Sequence, residues 1–244
     1  MGYVTLTVLV FVFAVAYLSR SSGTSITFVD TTLEFNIWDA LIVDNVDVSF
    51  GEKCRGILIE NFNIWIILYT FATILLYVKP QRNLFAPFKL NKRFPPLKLM
   101  TLELCRSGGS VLIGSAWEML IVHLVRSKTV PMVHWSALEL VDGSRTNISL
   151  AFIVAAAVGM YIWGDFHFYW IHRMLHIPIL YKNIHSIHHE SFNPTPWSGL
   201  SFHPVEGVIY FSSAPIAALF VPYYLSRLIF KSLLIFPLEG HAGM

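Results

Sequence analysis

Long apolar runs separated by polar segments set the pattern of the chain. Four of these runs are close to the length of a membrane-spanning helix: residues 2–18, 61–78, 108–125 and 148–163. A helix needs about 20 apolar residues to cross the hydrocarbon core of a bilayer, so the second run, of about 18 residues, is tight for a span and the fourth, of about 16, is short. The pattern therefore predicts an all-α protein with multiple transmembrane helices.

A fifth apolar run, residues 207–236, is too short for two full spans, which need about 40 residues. Two prolines interrupt it, and we interpret it as a hairpin with shortened or tilted legs that turns near residues 222–224. A hairpin returns residues 237–244 to the side of the membrane on which the run began. A single span would instead place His241 on the opposite side.

Charged residues predict how the spans are oriented. Residues 21–60 are acidic, whereas residues 79–106 contain seven lysines and arginines against one glutamate. Basic loops stay in the cytosol, so residues 79–106 and, two spans later, residues 165–206 are predicted to be cytosolic. Four prolines predict that the basic segment is irregular. We divide the chain into residues 1–60, an N-terminal anchor with a lumenal segment, and residues 61–244, a membrane domain.

The composition agrees with a membrane protein. Only 13% of the residues are charged, compared with roughly 25% in soluble domains, and the mean hydropathy is +0.59. A net charge of +2 indicates no nucleic-acid partner. The two cysteines, Cys54 and Cys105, fall in segments predicted to lie within or on opposite sides of the membrane, so we expect no disulfide and no thiolate metal site.

Histidines are concentrated near the C-terminus in two spaced groups. His172 and His176 form an H-x3-H pair, and His185, His188 and His189 form an H-x2-H-H triplet. Residues three or four apart share one face of a helix, and an intervening proline allows two helices to present five imidazoles to a common centre. Imidazole suits iron, copper, zinc and nickel, so the spacing predicts a metal site. Zinc-protease motifs are absent, and a b-type haem would leave most of the cluster unexplained.

At these residues the sequence resembles the fatty acid hydroxylase superfamily of membrane di-iron enzymes. That group includes sterol C-5 desaturases, C-4 methylsterol oxidases and cholesterol 25-hydroxylases. The resemblance covers roughly residues 80–244. The segments that carry it are Asp165–His176, Tyr181–His189, the H-P-x-E segment at the end of Pro196–Glu206, and the G-H-x-G segment Gly240–Gly243.

The resemblance implies a set of ligands for two iron ions. These ligands are His172, His176, His185, His188, His189 and His241. His203 is expected to have a structural role or to support a ligand. Asp165 and Glu190 are candidates either to orient ligand imidazoles through their second nitrogen or to be solvated surface residues. His167 is expected to lie off the ligand face.

The superfamily also carries a further H-x2-H-H box after the G-H-x-G segment. This chain stops at Met244, three residues past His241. We therefore expect the chain to be C-terminally truncated, with about six of the eight or more ligands that a di-iron site would use.

The same resemblance implies an activity and a location. Two ferrous ions would use O2 to hydroxylate or desaturate a lipid, a sterol above all, with electrons from NAD(P)H through a cytochrome b5-type donor. The protein would be a multi-pass protein of the endoplasmic reticulum membrane. The basic cytosolic segment offers a docking surface for an acidic donor, although its role as a topology signal suffices to explain it.

Other interpretations stay open at this stage. Alkylglycerol monooxygenase activity or aldehyde-forming cleavage would use the same histidines. A truncated chain would instead act as a catalytically inactive membrane binding or regulatory protein. A metal transporter would need ionisable residues along its spans, where only Glu118 and His123 lie in the middle of a predicted span.

Overall fold

The computed structural model describes residues 48–78, 87, 91, 93–127, 150–219 and 223–241. Across these residues every regular element is helical, which confirms the predicted all-α class. The predicted first span, residues 2–18, and most of the N-terminal segment lie outside the described residues. The elements are α1 Phe50–Tyr77, α2 Leu97–Arg126, α3 Leu150–Leu175, α4 Pro178–Asn183, the 3₁₀ helix η1 His185–Glu190, the 3₁₀ helix η2 Pro196–Leu200, α5 Pro204–Phe211, α6 Ser213–Ala218 and α7 Tyr223–Gly240.

Helices α1 and α2 are the two described helices that are long and apolar enough to cross a membrane. They contain 28 and 30 residues, or about 42 and 45 Å of helix at 1.5 Å per residue. Large apolar side chains such as Ile67, Phe71 and Leu112 point outward, with 63%, 64% and 53% of their surface exposed. An outward apolar face of this kind is suited to lipid.

Both helices are longer than the apolar runs that predicted them. Helix α1 begins with a capping box, in which Ser49 and Glu52 bond each other's main-chain N–H groups. Helix α2 begins directly after Pro96, so the prediction of irregular structure was wrong from Leu97 onward. A proline restricts the residue before it but is compatible with a helix start, and the chain turns helical there.

Helix α3 continues well beyond the predicted fourth span. It runs without a break to Leu175, so His172 lies in its last turn and His176 follows directly after its end. Pro178 then starts the short helix α4, which confirms that the chain breaks at this proline. The second histidine group, predicted as an α-helix, is instead the 3₁₀ helix η1. Short connecting segments commonly tighten into 3₁₀ geometry in this way.

The predicted hairpin consists of α5 and α6 on one side and α7 on the other. Helix α7 packs against α6, α1, α2 and η2. Its close contact with α2 depends on Gly114, where a Cβ atom would lie 2.8 Å from the ring of Phe230. The return of α7 brings His241 to within 5.1 Å of His188, measured between ring centroids. The single-span alternative, which would separate these two histidines, is therefore wrong.

A buried ion cluster joins α1, α2 and α7 inside the apolar bundle. Arg227 Nε donates to Glu118 Oε1 at 2.8 Å, and Lys231 Nζ donates to Glu118 Oε2 at 3.2 Å. Asn61 Nδ2 donates to the same carboxylate at 3.0 Å, and Glu60 pairs with both cations. Two positive and two negative charges thus neutralise one another. The cations of α7 are held by this internal network rather than by the membrane surface.

Candidate metal centre

Four imidazoles converge where the end of α3 faces η1. His172, His176, His185 and His189 can each offer a ring nitrogen such that all four atoms lie within 4.8 Å of one another. The Nε2 atoms of His172 and His176 are 3.1 Å apart, and those of His185 and His189 are 3.0 Å apart. Nitrogens that bind one ion at about 2.1 Å are separated by roughly 3 to 3.5 Å, so these pairs have the spacing of ligands.

The two remaining predicted ligands form a pair beside this group. His188 lies 5.5 Å from His185 and 5.1 Å from His241, between ring centroids. His188 Nδ1 is buried and has no hydrogen-bond partner among the described residues. An unpaired buried polar group costs about 1–3 kcal/mol, and coordination of a metal would remove that cost. The structure therefore brings all six predicted ligands together, as a group of four and an adjoining pair.

Burial keeps these imidazoles in the form that binds metal. Loss of solvent, together with a smaller effect of the neighbouring histidines, lowers the pKa of His172 to about 4 and that of His188 to about 3. Both side chains are consequently neutral near pH 7, with a lone pair available for coordination. An all-imidazole donor set of this kind suits iron as well as copper, zinc and nickel, so it is compatible with the iron that the resemblance implies.

Glu206 supports the ligand candidate His185, a role that the sequence pattern did not predict. Its Oε1 atom lies 2.8 Å from His185 Nδ1, and 3% of the residue's surface is exposed. Burial raises the pKa of Glu206, and the hydrogen bond to His185 opposes that rise. A carboxylate on Nδ1 fixes the ring orientation and leaves Nε2 directed toward the other histidines. The sequence signal for this role was the H-P-x-E segment, which ends in this glutamate.

The residues predicted to orient ligands lie elsewhere. Glu190 pairs with Arg106 of α2 at 2.6 Å, and Asp165, which is exposed, accepts a hydrogen bond from Tyr161. His203 caps α5, its Nδ1 accepting from the N–H of Val205, which is a structural role.

His167, predicted to lie off the ligand face, pairs with Ser212 instead. Its Nε2 atom is 3.2 Å from Ser212 Oγ, and its ring packs on Trp163. The His167 side chain thus makes its contacts outside the group of four histidines, in agreement with the prediction from spacing.

Helix α2 holds the segment that follows the second histidine box. The buried carboxylate of Glu103 accepts hydrogen bonds from the hydroxyls of Ser191 and Thr195. Thr195 also caps η2. Together with the Arg106–Glu190 ion pair, these bonds fix η1 against α2 just after the last histidine of the box. The group of four histidines is therefore positioned by contacts with the rigid helix α2 rather than by loops alone.

Truncating Glu206 tests its role as the partner of His185. We expect Glu206→Ala to weaken metal binding by the group of four histidines by about 10- to 100-fold, the usual cost of losing a carboxylate behind a ligand histidine. A cobalt(II) titration of the purified protein in detergent measures this change. The matched variant is Glu190→Ala, which removes the carboxylate that the sequence predicted. A larger loss in Glu190→Ala than in Glu206→Ala would contradict the assignment.

Comparison with known proteins places this region in context. Residues 157–243 match the family model described as fatty acid hydroxylase. A Delta(7)-sterol 5(6)-desaturase of Gibberella zeae is 46% identical over 48 residues, which cover 20% of this chain and 15% of that protein. The lathosterol oxidase of Rattus norvegicus is 40% identical over 57 residues, covering 23% and 19%. A probable Delta(7)-sterol 5(6)-desaturase of Neurospora crassa is 41% identical over 66 residues, covering 27% and 17%.

The matched segments thus span less than a fifth of the length of each of these relatives. No solved structure matches the chain. The resemblance to the fatty acid hydroxylase superfamily is confirmed by the family match and by these relatives.

Proposed function

We propose that this chain, whose C-terminal part matches the fatty acid hydroxylase family, is a membrane-bound oxidoreductase that binds two iron ions and uses O2 to hydroxylate or desaturate a sterol. The observation that carries the proposal is the gathering of six imidazoles into a group of four and a pair. The sterol substrate is supported by the names of the desaturase and oxidase relatives.

The chain's own residues would bind and orient the two ions. His172, His176, His185 and His189 would hold one ion, and His188 with His241 would contribute to the other. When bound, the iron pair supplies the oxidising chemistry, in which O2 is reduced and hydrogen is removed from an unactivated C–H bond.

Aromatic side chains beside the histidines would supply the contact surface for an apolar substrate. Phe168 packs on His172 at 5.4 Å, and Phe202 packs on His188 at 5.2 Å, between ring centroids. Tyr210 lies between these two rings and contacts both. Phe168 is 49% exposed, so this aromatic row extends from the histidines to the outer surface. A lipid that enters from the side is compatible with such a row, because its hydrocarbon body remains in apolar surroundings.

The location and electron supply are part of the same proposal. The protein would lie in the endoplasmic reticulum membrane with its histidines in the cytosol. In support, Arg106 pairs with Glu190, and Asn193 Nδ2 donates to the carbonyl of Arg93 at 2.6 Å. The basic segment and the histidines are thus at one end of the bundle. Electrons would come from NAD(P)H through a cytochrome b5-type donor.

The proposal is tested with the full chain purified in detergent. We expect about two irons per chain and O2-dependent conversion of a Δ7-sterol when NADPH, cytochrome b5 and its reductase are supplied. His185→Ala is the negative control, because it removes the most buried imidazole of the group of four. Folded protein that contains less than about half an iron per chain would contradict the enzyme and favour the alternative, an inactive membrane binding protein.

A further inference from the structure

Helix α7 contains a proline three residues before its end, and this proline changes the hydrogen bonding of the helix. Pro237 has no N–H, so the carbonyl of Leu233 lacks the donor that a continuous helix would provide. Tyr210 of α5 donates its hydroxyl to this carbonyl at 3.0 Å. Tyr69 of α1 donates to the next carbonyl, that of Leu234, at 2.7 Å. Two side chains from other helices thus satisfy main-chain oxygens at the proline.

The carbonyl of Pro237 in turn holds His241. It accepts from the main-chain N–H of His241 at 3.2 Å and from His241 Nδ1 at 3.0 Å. Because Nδ1 carries the proton in this bond, Nε2 keeps its lone pair. The orientation of the His241 imidazole therefore depends on where this one carbonyl lies.

Gly199 of η2 leaves the space that this carbonyl occupies. A Cβ atom at Gly199 would lie 2.4 Å from Pro237 O and 2.7 Å from Pro237 C. Both contacts involve main-chain atoms, so any larger residue would displace the acceptor of His241. Gly199 thus allows η2 and the end of α7 to meet at the carbonyl of Pro237.

We propose that Tyr210, Pro237 and Gly199 position His241 as a ligand of the second metal ion. Tyr210 replaces the donor that Pro237 lacks, Pro237 presents its carbonyl to His241 Nδ1, and Gly199 leaves room for that carbonyl. This inference rests on the proposed two-metal function. It adds a positioning role to three residues that are not themselves among the proposed metal ligands.

The key test is whether the role of the Tyr210 hydroxyl depends on Pro237. In Tyr210→Phe the carbonyl of Leu233 loses its donor, and we expect the end of α7 to loosen. In Pro237→Ala the helix regains a main-chain N–H for this carbonyl, so the hydroxyl becomes redundant. In the Pro237→Ala background we expect the effect of Tyr210→Phe on the chemical modification rate of His241 to be at least about fivefold smaller. Residues that share one partner are energetically coupled. A role of Tyr210 in packing alone would give equal effects in both backgrounds.

The first measurement needs no metal. The rate at which diethyl pyrocarbonate modifies His241 is followed by mass spectrometry in the metal-free full chain. We expect Tyr210→Phe to raise this rate about 10-fold, since the carbonyl of Pro237 would no longer hold the imidazole of His241 in a fixed position. The matched control is Tyr77→Phe, which removes a hydroxyl that donates to the carbonyl of Pro194 rather than to a carbonyl of α7. An unchanged rate in Tyr210→Phe, or an equal rise in the control, would overturn the inference.

The second measurement is a cobalt(II) titration of the same variants. We expect Tyr210→Phe to weaken binding of the second ion about 10-fold and to leave binding of the first ion unchanged, as is usual when a contact that supports a ligand is lost. Equal affinities for the second ion in the wild type and in Tyr210→Phe would overturn the role of Tyr210 in metal binding. A wild type that binds no metal but shows the expected modification rates would overturn the proposed function and leave the positioning of His241 intact.

Discussion

Under the proposed two-iron function, replacing His188 with alanine is expected to abolish oxidation of the sterol and to remove one of the two metal ions. His188 lies between the group of four histidines and His241, and its Nδ1 atom is buried without a partner among the described residues. Losing a residue that merely supports a ligand costs about 10- to 100-fold, so losing a ligand is expected to cost more than about 100-fold in turnover. Sterol conversion and iron content, measured on the same preparation, check this result.

The control for this variant is His123→Ala. His123 is exposed near the opposite end of α2 from Arg106, where it contacts Phe50. Seventeen helical residues separate it from Arg106, or about 25 Å along the helix axis. We expect its iron content and turnover to equal those of the wild type. Unchanged turnover in His188→Ala would remove the two-iron hypothesis.

Replacing Glu118 with alanine is expected to destabilise the helix bundle more than any other single change in the described ion cluster. Glu118 is 1% exposed and accepts hydrogen bonds from Arg227, Lys231 and Asn61. Its loss leaves two buried cations with one half-exposed carboxylate, that of Glu60. Removing one partner of a buried ion pair typically costs about 3–5 kcal/mol. The apparent melting temperature in detergent and the fraction of monodisperse protein measure the effect.

Glu60→Ala is the matched variant, since it removes a carboxylate from the same cluster at its exposed side. The Glu60 side chain is 37% exposed, so water can replace part of what it provides. We expect a loss of stability that is less than half of that in Glu118→Ala. Equal losses would show that the two carboxylates contribute alike, and a stable Glu118→Ala protein would contradict the role of the cluster.

The sequence predicts much of this site because histidine spacing reports local geometry. The pair His172 and His176 lies on one helix face, as an H-x3-H spacing requires, and the triplet joins it across a proline. The hydrophobic runs predicted α1 and α2 but not their ends, because caps and packing extend a helix beyond its apolar centre. Two cations within an apolar run, Arg227 and Lys231, indicate a need for polar surroundings, although not which residues provide them.

The parts that the sequence did not predict depend on contacts between distant segments. Glu206 meets His185 across 21 residues, and Tyr210 meets Leu233 across 23. No periodicity reports such a pairing, because it follows from how short helices pack. The 3₁₀ form of η1 was missed for a related reason. Its i, i+3 and i+4 spacing is that of an α-helix, whereas short connecting segments commonly tighten into 3₁₀ geometry.

The ion cluster also has a consequence for the biosynthesis of the protein. Helix α7 carries Arg227 and Lys231, and a single arginine or lysine at the centre of an isolated helix raises the cost of insertion by about 2.5–3.5 kcal/mol. Their partners Glu118 and Asn61 precede them by 109 and 170 residues and leave the ribosome first. We therefore expect α7 to enter the bilayer efficiently only beside an assembled α1–α2 pair. Insertion of α7 would then depend on the correct assembly of the two helices that are made before it.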